Sequence, residues 1–227
     1  MATKTKSEIN GRLTGVPTDA DKPQELQVTP PKIEIVKFRL IGTAPLVQCR
    51  FPEKARNQII HTQLAGSQAK KGKKRDPKDF EEGYEQARHK AVDGWDGIHA
   101  GGFRKAMIDA CKLVGFFMTR AKLGIFIVAD GYDKDGTPLV RITKGEPRKV
   151  IHPVRNASGV VDMRARPMWE PGWECVLTIR YDADMLSTTD ILNLLARVGM
   201  QCGICEGRPN SKDSAGCDWG LFQVETA

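Results

Sequence analysis

The sequence lacks a long apolar run. The longest, around Leu123 to Ala129, is far too short to cross a bilayer. The opening stretch, MATKTKSEINGRLTG, has no apolar h-region, so it does not read as a secretory signal. These two lacks predict a cytoplasmic protein with no membrane partner. In that compartment the six cysteines stay mostly reduced. Histidine is scarce: four residues, none of them near the C-terminal cysteines. A zinc site there is left with one C-x-x-C pair, Cys202 and Cys205, plus Cys217, where two spaced pairs are usual. Internal repeats are missing beyond two similar strand–helix units.

Positive charge is what the chain has in excess. Thirty-five Lys and Arg face 28 Asp and Glu, a formal +7 over 227 residues. That balance suggests a polyanionic partner. The length allows one domain with a sizeable core and an inserted subdomain.

Residues 1–31 are polar and proline-bearing and read as a flexible arm ahead of a single domain at 32–227. Alternation in KIEIVKFRLIG predicts a strand. PEKARNQIIHTQLA reads as a helix with Ile59, Ile60 and Leu64 as its apolar face. Residues 66–79 carry Lys70, Lys71, Lys73, Lys74 and Arg75 and nothing larger than alanine to bury. They are expected to form an exposed basic loop. GIHAGGFRKAMIDACKLV predicts a short strand and a helix. LGIFIVADGYDKDGTPLVRITKG predicts a hairpin about Asp135-Gly136. The Pro- and Arg-rich stretch from Glu146 to Trp173 reads as an irregular excursion, and an inserted β-rich lobe is expected at about 116–172. A strand (WECVLTIRYD), a Ser187-capped helix, a glycine-rich segment and a last strand (WGLFQVE) close the chain.

Two glycine features carry chemistry. Gly101-Gly102 opens a helix, where unpaired amides favour phosphate, and Arg104 and Lys105 sit in that first turn. In GMQCGICEGRPNSKDSAGCDWGLFQVE, Gly199 reads as a helix C-cap. Gly203, Gly207, Gly216 and Gly220 then punctuate the return, beside Arg208. Such a segment is either an ordinary helix-to-strand loop or a backbone that approaches a ligand closely.

Three pieces, FRLIGTAPLVQ, GIHAGGFRKAMIDAC and the glycine-rich segment, resemble the RAMP superfamily, the ferredoxin/RRM-like proteins of CRISPR effector backbones. The likeness runs in order over roughly residues 33–225, and compact phage-encoded proteins of this general kind are similar too. It implies an α+β fold with an RRM/ferredoxin-like βαββαβ core. It also implies binding of single-stranded nucleic acid with assembly of copies along the strand; some members cleave RNA.

The expected function is therefore a single-stranded nucleic-acid-binding protein without sequence specificity, DNA favoured over RNA, with no cofactor and no metal. The candidate contacts are the 70–75 cations, Gly101, Gly102, Arg104, Lys105, Gly203, Gly207 and Arg208. Arg120, Lys122, Arg148, Lys149, Arg155, Arg164 and Arg166 join them, with Trp169, read as exposed between Pro167 and Pro171, as a base-stacking surface. Two alternatives stay open. One is a RAMP-type ribonuclease, metal-independent or Mg-dependent, using His99 as base or an Asp93/Asp96 pair. The other is an assembly or inhibitor module that imitates a CRISPR backbone subunit.

Overall fold

The computed structural model describes residues 28–64, 78–155, 159, 161–211 and 217–226. The chain divides after Pro30, and residues 31–227 hold every described strand and helix. The basic stretch from Lys70 to Arg75, Lys212 and Gly216 lie outside the described residues, as does the Arg155 side chain.

The molecule is mixed α and β, with antiparallel sheets and five α-helices among the described residues. The main sheet is built around β1 (Ile33–Gly42) and β9 (Glu174–Asp182), paired along nearly their whole lengths from Ile33↔Asp182 to Ile41↔Glu174. β10 (Phe222–Thr226) pairs with the other edge of β1. β4 (Ile125–Val128) and β6 (Pro138–Lys144) share the far edge of β9. β3 (Gly97–His99) and β5 (Gly131–Tyr132) pair with β6. The three strands expected near 33–41, 174–181 and 219–225, here β1, β9 and β10, thus lie in one antiparallel sheet.

Period-two alternation sorts the two faces. Val36, Phe38 and Leu40 of β1 and Cys175, Leu177, Ile179 and Tyr181 of β9 point into the core. Against them pack α3 (Ala100–Ala110), through Phe103, Met107 and Ala110, and α5 (Thr188–Arg197), through Ile191, Leu194 and Leu195. Full burial of each large apolar side chain stabilises the fold by about 1.5–3 kcal/mol. Ser187 starts α5 through a reciprocal capping box with Asp190. The opposite face of the central strands presents Ile33, Ile35, Lys37, Arg39, Val176, Thr178 and Arg180.

A second, three-stranded sheet holds β2 (Leu46–Val47), β8 (Val161–Trp169) and β7 (Arg148–Arg155) in that order. This corrects two expectations. The stretch expected to be an irregular excursion is a long hairpin, β7 to β8, paired from Arg148↔Met168 to Arg155↔Val161. Its prolines argue against strand structure, yet Pro153 sits on the outer strand of the sheet, where a missing N–H is tolerated. The hairpin expected around Asp135-Gly136 is the short one of β5 and β6, whereas β4 leaves it to pair with β9. The expected lobe therefore contributes β4, β5 and β6 to the main sheet and only β7 and β8 to the second.

α1 (Glu53–Leu64) also departs from expectation, since Ile59, Ile60 and Leu64 stay exposed. Its first turn is held by ion pairs of Glu53 with Lys134 and of Arg56 with Asp135. α2 (Phe80–Ala87), capped by Asp79, lies on β8, and α4 (Met118–Gly124) leads into β4. No helix among the described residues is long and apolar enough to cross a membrane.

Candidate functional site

The glycine-rich segment folds back onto the start of α3. A short π-helical turn, Val198–Cys202, continues α5, and Gly203 ends it with φ +67°. Gly199 is thus not the helix cap expected of it. It lies inside the turn, where an added Cβ would come within 2.1 Å of the Phe222 carbonyl oxygen. From Gly203 the backbone is pinned to its surroundings. Ile204 donates to Gly220, Glu206 to Val47 and Gly220 to Pro45. Gly220 has φ +71° and a Cβ there would meet Ile204 O at 1.9 Å, so only glycine fits. Trp219 closes over Gly207 and packs edge-on against His152 of β7, and Arg166 of β8 pairs with Glu206 at 2.6 Å. The second sheet therefore braces the segment.

Between this segment and α3 lies a cleft of about 350 Å³. One wall is the α3 face of Gly102, Lys105, Ala106 and Asp109. Cys205 to Arg208 and Ser211 form another, and Gln48, Cys49, His89 and His99 complete it. Gln48 is fully buried and fixes the floor: its side chain donates to Gly97 O and accepts from the His89 amide.

The electrostatics are mixed. α3 has no acid in its first turn, and His99 at its N-cap makes no side-chain cap bond. Gly101 and Gly102 lie in the first turn, whose amides an α-helix leaves without an intrahelical partner at the positive end of its dipole. Lys105 pairs with Asp109 at 2.5 Å, and Asn210 donates to the same Asp109 oxygen at 3.0 Å. Burial pushes the Asp109 carboxyl up, but these two partners outweigh it and hold it below the usual carboxylate range. His89 stacks on His99 with ring centres 6.1 Å apart. Burial first, then His99 and Arg50, lower its pKa to about 4, so its ring is neutral near pH 7. Burial pushes the Cys205 thiol up to about 12, which leaves it a poor nucleophile.

The cleft brings together Gly102, Lys105, Gly207 and Arg208, which the sequence singles out from two distant stretches. Gly101 stands just behind: its Cβ position is filled by the His99 ring at 2.8 Å, so its glycine serves packing. Gly203 serves the turn. Other expected contacts are committed elsewhere. Arg104 donates to the Ile125 and Lys122 carbonyls and ties α3 to the start of β4. Arg166 is buried against Glu206 and Cys49. Arg148, Lys149 and Arg164 are paired with Glu170, Glu81 and Asp162. Arg120 lies over the Phe117 ring and, with Lys122, belongs to α4, outside the cleft lining. Trp169 is a correction: it is 0% exposed in the core and cannot stack a base. Pro167 lies inside β8 and Pro171 just beyond its end, and neither exposes the residue between them.

The Asp93/Asp96 pair does not form a metal seat either, because Arg88 takes both Asp96 oxygens, at 3.0 and 2.5 Å. Among the described residues no three His, Cys, Asp or Glu side chains cluster as a metal site. Sequence reasoning missed Asp109, Gln48 and His89. Asp109 had a legible signal, since Gly102, Lys105 and Asp109 at i, i+3 and i+7 share one helix face. No protein-family model matches the chain, and no curated protein matches it significantly.

Proposed function

We propose that the chain is a single-stranded nucleic-acid-binding protein on an RRM/ferredoxin-like βαββαβ core, of the RAMP kind its motifs resemble. The sheet order β10-β1-β9-β4 supports the core, with α3 between β1 and β4 and α5 between β9 and β10. One observation carries the function: the glycine-rich segment and the open first turn of α3 meet in one cleft, with Lys105 and Arg208 beside them. Unpaired helix amides and nearby cations suit a phosphate.

The open sheet face is the weaker location. RNA-recognition sheets stack bases on aromatics of their central strands. Here β1 and β9 present Ile33, Ile35, Lys37, Arg39, Val176, Thr178 and Arg180 on that face, with no aromatic among them, and Arg39 is held by Glu174 and Glu225. Most of the affinity then comes from phosphates, and deoxy strands are the expected partner, coated by successive copies in the cytoplasm. A nuclease reading retains His99 alone, stacked on His89, because Arg88 occupies Asp96.

The test incubates the protein with end-labelled single strands, with and without Mg²⁺. A retarded, intact strand supports the binder. Shortened product supports the nuclease, and neither a shift nor cutting supports a pure assembly module.

A further inference from the structure

We infer that the cleft seats one nucleotide of the bound strand, its phosphate on the first turn of α3 and an N–H of its base donated to Asp109, so that one position of the strand is read by base. The inference rests on the strand-binding reading above and adds a specificity that phosphate contacts lack.

The wall from Gly102 to Asp109 spans seven residues, about 10 Å of helix. That is about the reach from a nucleotide's phosphate to the far edge of its base. At one end, Gly102 differs from the other glycines of the two motifs. Its φ is not left-handed, and a Cβ there would meet nothing within 4 Å. Neither backbone strain nor packing calls for glycine at this position. A ligand oxygen approaching the first-turn amides does.

At the other end, the Asp109 side chain is only 9% exposed. One of its oxygens holds Lys105 and Asn210, while Oδ1 is buried with no partner among the described residues. A buried carboxylate oxygen without a donor is costly, and a carboxylate can only accept. His89 Nδ1, on another wall of the same cleft, is also buried and has no partner among the described residues. The missing partner of Asp109 is therefore an N–H or O–H donor. Guanine offers two N–H donors side by side, adenine and cytosine one amino group each. The N3–H of thymine lies between two carbonyl oxygens that a carboxylate repels. The expected order is guanine first, adenine and cytosine next, thymine last.

Fluorescence anisotropy with a short labelled oligo-dT, and with the same strand carrying one central G, A or C, tests this. A single guanine should tighten binding about tenfold over all-T. Asp109→Asn should shrink that preference to within about twofold. Gly102→Ala, a substitution the helix accepts, should weaken every strand by about tenfold while the thermal melt stays intact. Free dGMP forms a parallel arm. Equal affinity for all four strands overturns the base reading and leaves strand binding standing. Tight dGMP with no strand bound supports the seat but overturns the strand reading. Binding of neither overturns both.

Discussion

Helix α3 begins in a polar cleft and ends at an apolar groove. The groove, about 790 Å³ and mostly apolar, follows its last turn between Val114, Phe116, Met185, Leu186, Leu194 and Met200, with Asp190, Asn193, Arg197 and Gln201 along its rim. Phe117 and Leu123, on the segment just beyond, are 67% and 75% exposed. The two ends differ in what they demand. Apolar surface is satisfied by any apolar partner of fitting shape, so the groove specifies little. The cleft contains buried polar atoms in fixed directions, and each needs a particular partner. An occupant can be argued for the cleft because its unpaired groups have a sign and a position.

The largest effect is expected at the loop that builds the cleft. Gly220→Ala forces a side chain against Ile204 O in a left-handed conformation. Its expected cost is about 3 kcal/mol, read by urea unfolding. A loss below about 1 kcal/mol would mean that the loop is free to move and the cleft is not preformed.

The next effect comes from pH. The folded-state pKa of His89 lies at about 4, below its ordinary value of 6.5. The stability this burial allows is complete above about pH 6.5. It is lost as pH falls toward 4, by at most about 3 kcal/mol. Urea melts at neutral and acid pH should show a smaller acid loss in His89→Gln than in the parent. Equal loss would show that His89 is solvated in the folded state.

Gly102→Ala separates stability from function. An open Cβ position in a helix should gain about 0.5–1 kcal/mol of stability. Strand affinity should fall all the same. A variant that is more stable and binds equally well would remove Gly102 from the site. The smallest effect belongs to the segment just beyond the groove. Phe117→Ser combined with Leu123→Ser should change stability by less than about 0.5 kcal/mol, because both side chains are already in water. The same pair should leave the affinity for a short strand unchanged.

Much of the frame was legible in the sequence. Alternation placed β1, and helical spacing placed α3 and α5, because those patterns report a face and a core. The β7–β8 hairpin was hidden by its prolines, whose tolerance depends on where a strand sits in its sheet. Charge was the least legible. Arg166 finds Glu206 and Lys149 finds Glu81 across long stretches of chain, and nothing local in the sequence announces the acid that closes each. Half of the site was visible as two glycine stretches, but their meeting is a product of the fold. The polar atoms left unpaired there emerge only once every other partner is in place.

The most direct test is where a bound strand touches. A single strand carrying 5-iodo-deoxyuridine, photo-crosslinked to the protein and mapped by mass spectrometry, should label peptides covering residues 97–109 and 199–211. Labelling confined to residues 111–124 and 185–198, around the groove, would contradict the cleft as the binding site.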